Sequence, residues 1–162
     1  MGTGDLASAL RQVAESCVAT DMQVTFSVNG IPRSMHPVGS KEVFRIGTEA
    51  IRNACIHSRR QSLTIELEYG RDFTLSVRDS GRGFNPTLLT SGKPGHFGIM
   101  GMRERASNIC GRFSLETAEG QRTCLRLIVP GRVIFRTAEH TLSQRFRAEV
   151  LQEGRRSSIR CS

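Results

Sequence analysis

Glu49, Asn53 and His57 recur at four-residue spacing, so a carboxylate, an amide and an imidazole stack in one row if the segment is helical. Such a row runs along the rim of the apolar arc of a core-facing helix. A second acid, Asp79, ends an alternating run in which Phe73, Leu75 and Val77 share one phase. Its carboxylate is therefore aimed where an apolar side chain would go. A buried carboxylate is costly without a donor, and a ligand amine is one candidate. Next come Gly81 and Gly83, in the run Asp79-Ser80-Gly81-Arg82-Gly83-Phe84, which permit positive φ and close approach of backbone to a ligand. A third group, Gly95, Gly98 and Gly101, opens a helical pattern, where free N–H groups attract phosphate. No strand leads directly into these glycines and no Gly-Lys-Ser/Thr follows, which sets aside the dinucleotide-binding and Walker phosphate loops. Each feature alone also has a plain structural reading: a solvated helix rim, a strand-end Asp in a turn, a Gly-rich loop.

The elements that must position these residues follow from periodicity. Residues 5–19 read as a helix through Leu6, Leu10, Val13 and Cys17, and residues 22–28 as a strand through Val24, Phe26 and Val28. Asn29-Gly30, Pro32 and Pro37 mark a loop. Residues 40–57 form a long helical pattern with Ser40 as its N-cap. Two strands follow, through Leu63–Tyr69 and Phe73–Val77, joined by Gly70-Arg71-Asp72. Residues 79–98, rich in Gly, Pro and Ser, read as a long functional loop with at most one helical turn near 86–90. A helix over 99–110 closes at Gly111. A hairpin then runs from Phe113 to Thr117 and from Thr123 to Val129, with its turn near Glu119-Gly120, and Pro130-Gly131 ends it. This order predicts an α+β fold: a two-layer α/β sandwich whose mixed, mostly antiparallel sheet is covered on one face by about three helices.

Composition narrows the class. The 162 residues are 38% hydrophobic and 23% charged, as in one globular domain and unlike collagen, coiled coil or disordered chain. No apolar run approaches the roughly 18 residues that would span a membrane. Residues 1–20 carry Asp5, Arg11 and Glu15 without a secretory apolar stretch. Cysteines 17, 55, 110, 124 and 161 contain no C-x-x-C pair, so no disulfide or zinc framework is expected and a reducing cytoplasm fits best. Residues 136–162 carry +3 of the net +8 and lack a core face, so residues 1–135 read as the domain and 136–162 as a basic, flexible tail. With no Trp and one Tyr there is little to stack on bases, and nucleic-acid binding is not expected.

Taken in order, E-x-x-x-N-x-x-x-H on a helix, D-x-G-x-G after a strand and G-x-x-G-x-x-G into a helix resemble the N, G1 and G2 boxes of the GHKL (Bergerat-fold) ATPases. The phrases FRIGTEAIRNACIHS, VRDSGRGF and GHFGIMGMRERA are similar to the catalytic domain of NarX/LytS-like two-component sensor histidine kinases. Met35-His36-Pro37 and the closing LIVPG resemble the C-terminal end of large two-component regulators with propeller sensors. The resemblance covers about residues 5–135.

That resemblance implies ATP and Mg²⁺ as cofactors. Asn53 would give its amide oxygen to Mg²⁺, Glu49 would act as base or polarise the attacking group near the γ-phosphate, and His57 would sit by the phosphates. Asp79 would accept from the adenine amine, with Gly81 and Gly83 letting the backbone pass the base. Gly95, Gly98 and Gly101 would form a short ATP lid, and Thr123 falls where the family often has a Gly-Thr, with Arg122 in place of the glycine. The phosphoacceptor motif, a His followed by Asp or Glu, is missing, since His36, His57, His96 and His140 precede Pro, Ser, Phe and Thr. The expected activity is transfer of the ATP γ-phosphoryl to a His on a dimerisation domain, upstream or in trans, and thence to a response regulator. The alternatives are an ATP-binding regulatory module without transfer and an anti-sigma-type protein-serine kinase, the latter disfavoured by His57 and Met102-Arg103-Glu104-Arg105.

Overall fold

The computed structural model describes residues 3–17, 22–57, 62–81, 83, 97–118 and 122–136. Five strands form one sheet in the order β1-β2-β3-β5-β4. These are β1 (Gln23–Gly30), β2 (Ser62–Tyr69), β3 (Phe73–Asp79), β4 (Arg112–Glu116) and β5 (Thr123–Val129). Only β1 and β2 are parallel; the other pairs are antiparallel. A parallel pair needs a long crossover, and helix α2 (Pro37–His57) provides it. Helices α1 (Thr3–Cys17) and α3 (Phe97–Asn108) lie beside α2 on the same face, and a single turn, α4 (Gly131–Ile134), follows β5.

Alternation in the strands separates the two faces. Leu63, Ile65, Leu67, Phe73, Leu75, Leu127 and Val129 are fully buried against the helices. Their neighbours Glu66, Arg78 and Arg126 lie on the uncovered face, where Arg78 and Glu66 pair at 3.3 Å. From above, α1 contributes Leu6, Leu10 and Ala14, and α2 contributes Val43, Ile46, Ala50, Ile51 and Ala54. The helices approach closely at Gly47, where an added Cβ would lie 2.7 Å from Leu10 Cδ2.

Several boundaries differ from the sequence expectation, some for a clear local reason. Helix α2 starts at Pro37, because proline fixes a helical φ and its missing N–H is not needed in the first turn. Ser40 is therefore not the cap: it is buried in the helix, and its N–H donates to His36 O at 2.9 Å. Strand β1 runs on through Asn29 and Gly30, since pairing with β2 continues to Tyr69. There Gly30, at φ +81°, lies against the Tyr69 carbonyl, where a side chain would collide. Helix α1 begins at Thr3, two residues before the expected start, and the expected end at 18–19 lies outside the described residues.

Helix α3 ends at Asn108, and the left-handed residue that stops it is Cys110 (φ +53°), not Gly111. Gly111 N–H donates to Ala106 O at 2.8 Å and Cys110 N–H to Ser107 O at 3.0 Å. This pair of bonds is a Schellman closure. Gly111 is needed for space, its Cβ position being 3.0 Å from Leu127 Cδ1. The turn α4 was not expected, because four residues carry no readable period; it caps the sheet with buried Ile134 and Phe135. The expected turns near 86–90 and at 119–120 lie outside the described residues.

Candidate functional site

Asp79 occupies the last position of β3 on the buried face, 9% exposed. In the sheet it stands between Leu63 of β2 and Thr123 of β5. Its Oδ1 accepts the Gly81 N–H at 2.8 Å, which closes the chain over the carboxylate. Gly83, at φ +57°, is the glycine of this segment that needs left-handed backbone; Gly81 is buried without it. Thr123 Oγ1 lies 3.2 Å from Thr117 Oγ1.

Across from the sheet, α2 presents Asn53 between Ala50 and Ala54. Asn53, Asp79, Gly83 and Thr123 line one cleft, whose walls are Val77, Leu125, Ile99 and Met102. A slot with apolar walls, one buried carboxylate, one amide and one hydroxyl suits a flat ring carrying an amine.

Met102 also borders a second groove of about 530 Å³, so the two adjoin. Glu49, one turn before Asn53, lies in this groove with Gly98 and Gly101 at the start of α3. An added Cβ on Gly98 would lie 2.5 Å from Glu49 Oε1, whereas one on Gly101 would meet open space. Three arginines, Arg45, Arg52 and Arg105, line the same groove. Glu42 braces two of them, with contacts of 3.5 Å to Arg45 and 3.7 Å to Arg105. Guanidinium groups beside a helix start favour a polyanion.

The sequence-derived residues thus divide in three. Asn53, Asp79, Gly83 and Thr123 share the apolar cleft, and Glu49, Gly98 and Gly101 share the adjoining basic groove. His57 is the last residue of α2, and its side chain, like all of Gly95, lies outside the described residues. Sequence reasoning missed the arginines. Arg45 and Arg52 are seven apart on α2, a helical signal that was available, but Arg105 joins them only through tertiary packing.

A further hollow of about 720 Å³ lies on the uncovered sheet face beside Arg78, Cys124 and Arg126, and none of the sequence-derived site residues lines it. Arg122, the arginine before Thr123, lines that hollow and not the cleft of Asp79. Asp79 is nevertheless felt on α2. The Cys55 thiol is pushed up to about 11, mainly by burial, with contributions from the neighbouring Cys17 and from the Asp79 charge.

A mixed sheet with helices on one face, carrying a buried strand-end acid opposite a helix-borne amide, defines the two-layer ATPase-type domain. The chain belongs to the histidine kinase-, DNA gyrase B- and HSP90-like ATPase family, whose profile matches residues 38–133. It is 33% identical over 89 residues to the signal transduction histidine-protein kinase/phosphatase DegS of Bacillus subtilis (strain 168), covering 54% of this chain and 23% of that protein. It is 32% identical over 87 residues to sensor histidine kinase YdfH of the same organism, covering 51% and 20%. The chain therefore spans about a fifth to a quarter of these relatives' length. Among solved structures, full-length ShkA in complex with AMPPNP superposes with a TM-score of 0.66 at 17% identity, covering 83% of this chain and 31% of that one. The histidine kinase domain of the Erythrobacter litoralis EL346 blue-light activated kinase gives 0.59 at 15% identity, covering 77% and 60%. These two likenesses concern the fold. No helix among the described residues is long and apolar enough to cross a membrane.

Proposed function

We propose that this chain binds Mg-ATP and moves the γ-phosphoryl to a histidine on a dimerisation domain, upstream or in trans, from which a response regulator takes it. One observation carries this reading: a carboxylate in the apolar phase of β3 opens into a cleft shared with Asn53 and Thr123, beside a groove holding Glu49 and three arginines. Asp79 accepts a hydrogen bond from the adenine amine while Val77, Ile99, Met102 and Leu125 enclose the ring. Gly81 N–H holds the acid in place, so binding requires no reorganisation of it. The triphosphate leaves the cleft along α2 toward the start of α3, where Arg45, Arg52 and Arg105 offset its charge. Glu49 faces the end of that path and polarises the incoming imidazole.

The donors fit Mg²⁺. Among the described residues no three His, Cys, Asp or Glu side chains converge, and Asn53, lining the cleft beside the groove, would hold the ion through its neutral amide oxygen. When bound, the ion supplies charge neutralisation on the phosphate oxygens, the main need in phosphoryl transfer. Residues 1–135 form the working unit, residues 136–162 add a basic tail outside it, and the cytoplasm is where such a phosphorelay meets ATP.

The test is equilibrium binding of a non-hydrolysable ATP analogue. A hydrogen bond to a charged group contributes about 1.5–3 kcal/mol. Asp79→Asn is therefore expected to weaken binding by roughly 10- to 150-fold, with unfolding still cooperative. Asn53→Ala should weaken it chiefly when Mg²⁺ is present. Unchanged affinity in Asp79→Asn would remove the nucleotide assignment. Labelled ATP mixed with a cognate dimerisation domain then separates transfer from binding alone: label on the histidine is the expected outcome, and tight binding with none leaves only a regulatory module.

A further inference from the structure

One stretch of β5 lines two hollows. Thr123 and Leu125 line the cleft under the helices, while Arg122, Cys124 and Arg126, alternating with them, line the hollow of about 720 Å³ on the open face. In the sheet Cys124 stands between Arg78 of β3 and Glu116 of β4, and Arg126 stands between Ser76 and Ser114. Arg78 and Arg126 are therefore diagonal neighbours, about 7–8 Å apart at the backbone. Cys124 is short and partly buried, so it forms the floor. Arg78, Arg122, Arg126 and Glu116, all exposed, form the rim. Arg78 is paired with Glu66 at 3.3 Å. Arg122 and Arg126 have no acidic partner among the described residues. Like charges gathered around one point repel, and an anion placed between them removes that repulsion.

We propose that this hollow is a second binding site, for a small phosphate ester whose remainder carries hydroxyl groups. Its volume lies within the range of about 300–1,000 Å³ usual for small-molecule sites. The arginines surround a point instead of following a line, which suits a compact dianion better than an extended acidic peptide. Guanidinium forks bind phosphate oxygens in pairs, so Arg122 and Arg126, the unpaired two, hold the phosphate. Glu116 gives the site its preference within that class. A carboxylate on the rim repels a bare anion but accepts hydrogen bonds from ligand hydroxyls, with Ser114 and Thr117 beside it. No aromatic side chain is among the described lining residues, so a purine has nothing to stack on here. The site is thus separate from the nucleotide cleft and does not rest on the phosphotransfer reading.

The experiment uses the full chain and reads the floor of the hollow directly. The reduced protein is alkylated with iodoacetamide at increasing ribose 5-phosphate, and the rates at Cys124 and at exposed Cys110 are followed by peptide mass. The expected result is saturable slowing at Cys124 with Cys110 unchanged. Loss of one charge-assisted bond in Arg122→Gln or Arg126→Gln should raise the half-saturating concentration about tenfold or more. Arg112→Gln, on the same face at the start of β4 but outside the hollow, should leave it as in the parent. Inorganic phosphate should protect more weakly than ribose 5-phosphate, and Glu116→Ala should close that gap. Asp79→Asn, which removes nucleotide binding, should leave protection intact. No protection of Cys124, equal protection by inorganic phosphate in the parent, equal effects of Arg112→Gln and Arg126→Gln, or protection by a polyglutamate peptide at lower concentration would overturn the proposal. So would loss of protection in Asp79→Asn, because the two sites would then not be separate.

Discussion

Gly98 has room for a hydrogen atom and little more, because the carboxylate of Glu49 lies over it. Gly98→Ala would push a flexible side-chain end aside instead of backbone, and alanine is the better helix former by about 1 kcal/mol. The variant is expected to be as stable as the parent, or up to about 1 kcal/mol more stable, in chemical denaturation, while phosphotransfer falls at least tenfold because Glu49 is displaced. Gly101→Ala, which meets open space, should change stability in the same direction and spare Glu49. Equal loss of activity in both variants would argue against a role for Glu49's position. Titration gives a second residue-scale prediction. The Cys55 thiol is raised from 9.0 to about 11 by burial first, so the folded state holds its proton where the unfolded chain releases it. That contribution is present in full below pH 9 and is lost as pH rises toward 11. The denaturation midpoint should fall across that window, and less steeply in Cys55→Ser. The Tyr69 hydroxyl, also raised by burial, adds a decline of the same sign. Asp79 was legible in the sequence because an acid broke an apolar phase. The arginine trio was not, since no local pattern says that α2 and α3 will face one another.

Among the elements, α3 is stopped by an uncommon choice. A cysteine takes the left-handed position, where most residues cost about 1–2 kcal/mol and glycine costs little. Cys110→Gly should raise stability by roughly 0.5–1 kcal/mol in urea denaturation. Gly111→Ala should lower it, because its Cβ would crowd Leu127 and the Ala106 carbonyl. If both changes were neutral, the closure described for α3 would be wrong. Strands and long helices were readable from sequence because their burial periods of two and 3.6 are strong. Ends were less so. Pro37 reads as loop by its residue type yet is the first helical residue, and Asn29-Gly30 reads as a turn although pairing with β2 carries the strand through it. A four-residue turn such as α4 is too short to carry a period, and what marks it is tertiary: Ile134 is fully buried and Phe135 after it bridges to Met35.

For the whole molecule, one sheet has two uses. The covered face carries the core and ends in the acid-lined cleft. The uncovered face carries Arg78, Arg122 and Arg126 around the larger hollow. Both are places where a polyanion could settle, and the net charge of +8 does not choose between them. What chooses is a buried acceptor for an amine beside apolar walls, which among the described residues the covered face offers at Asp79. The decisive measurement is therefore amide chemical-shift mapping of the full chain as a non-hydrolysable ATP analogue is added with Mg²⁺. The account predicts saturable shifts at Asn53, Gly83, Gly98 and Thr123. Shifts concentrated at Arg78, Cys124 and Arg126 instead, with the cleft silent, would contradict it.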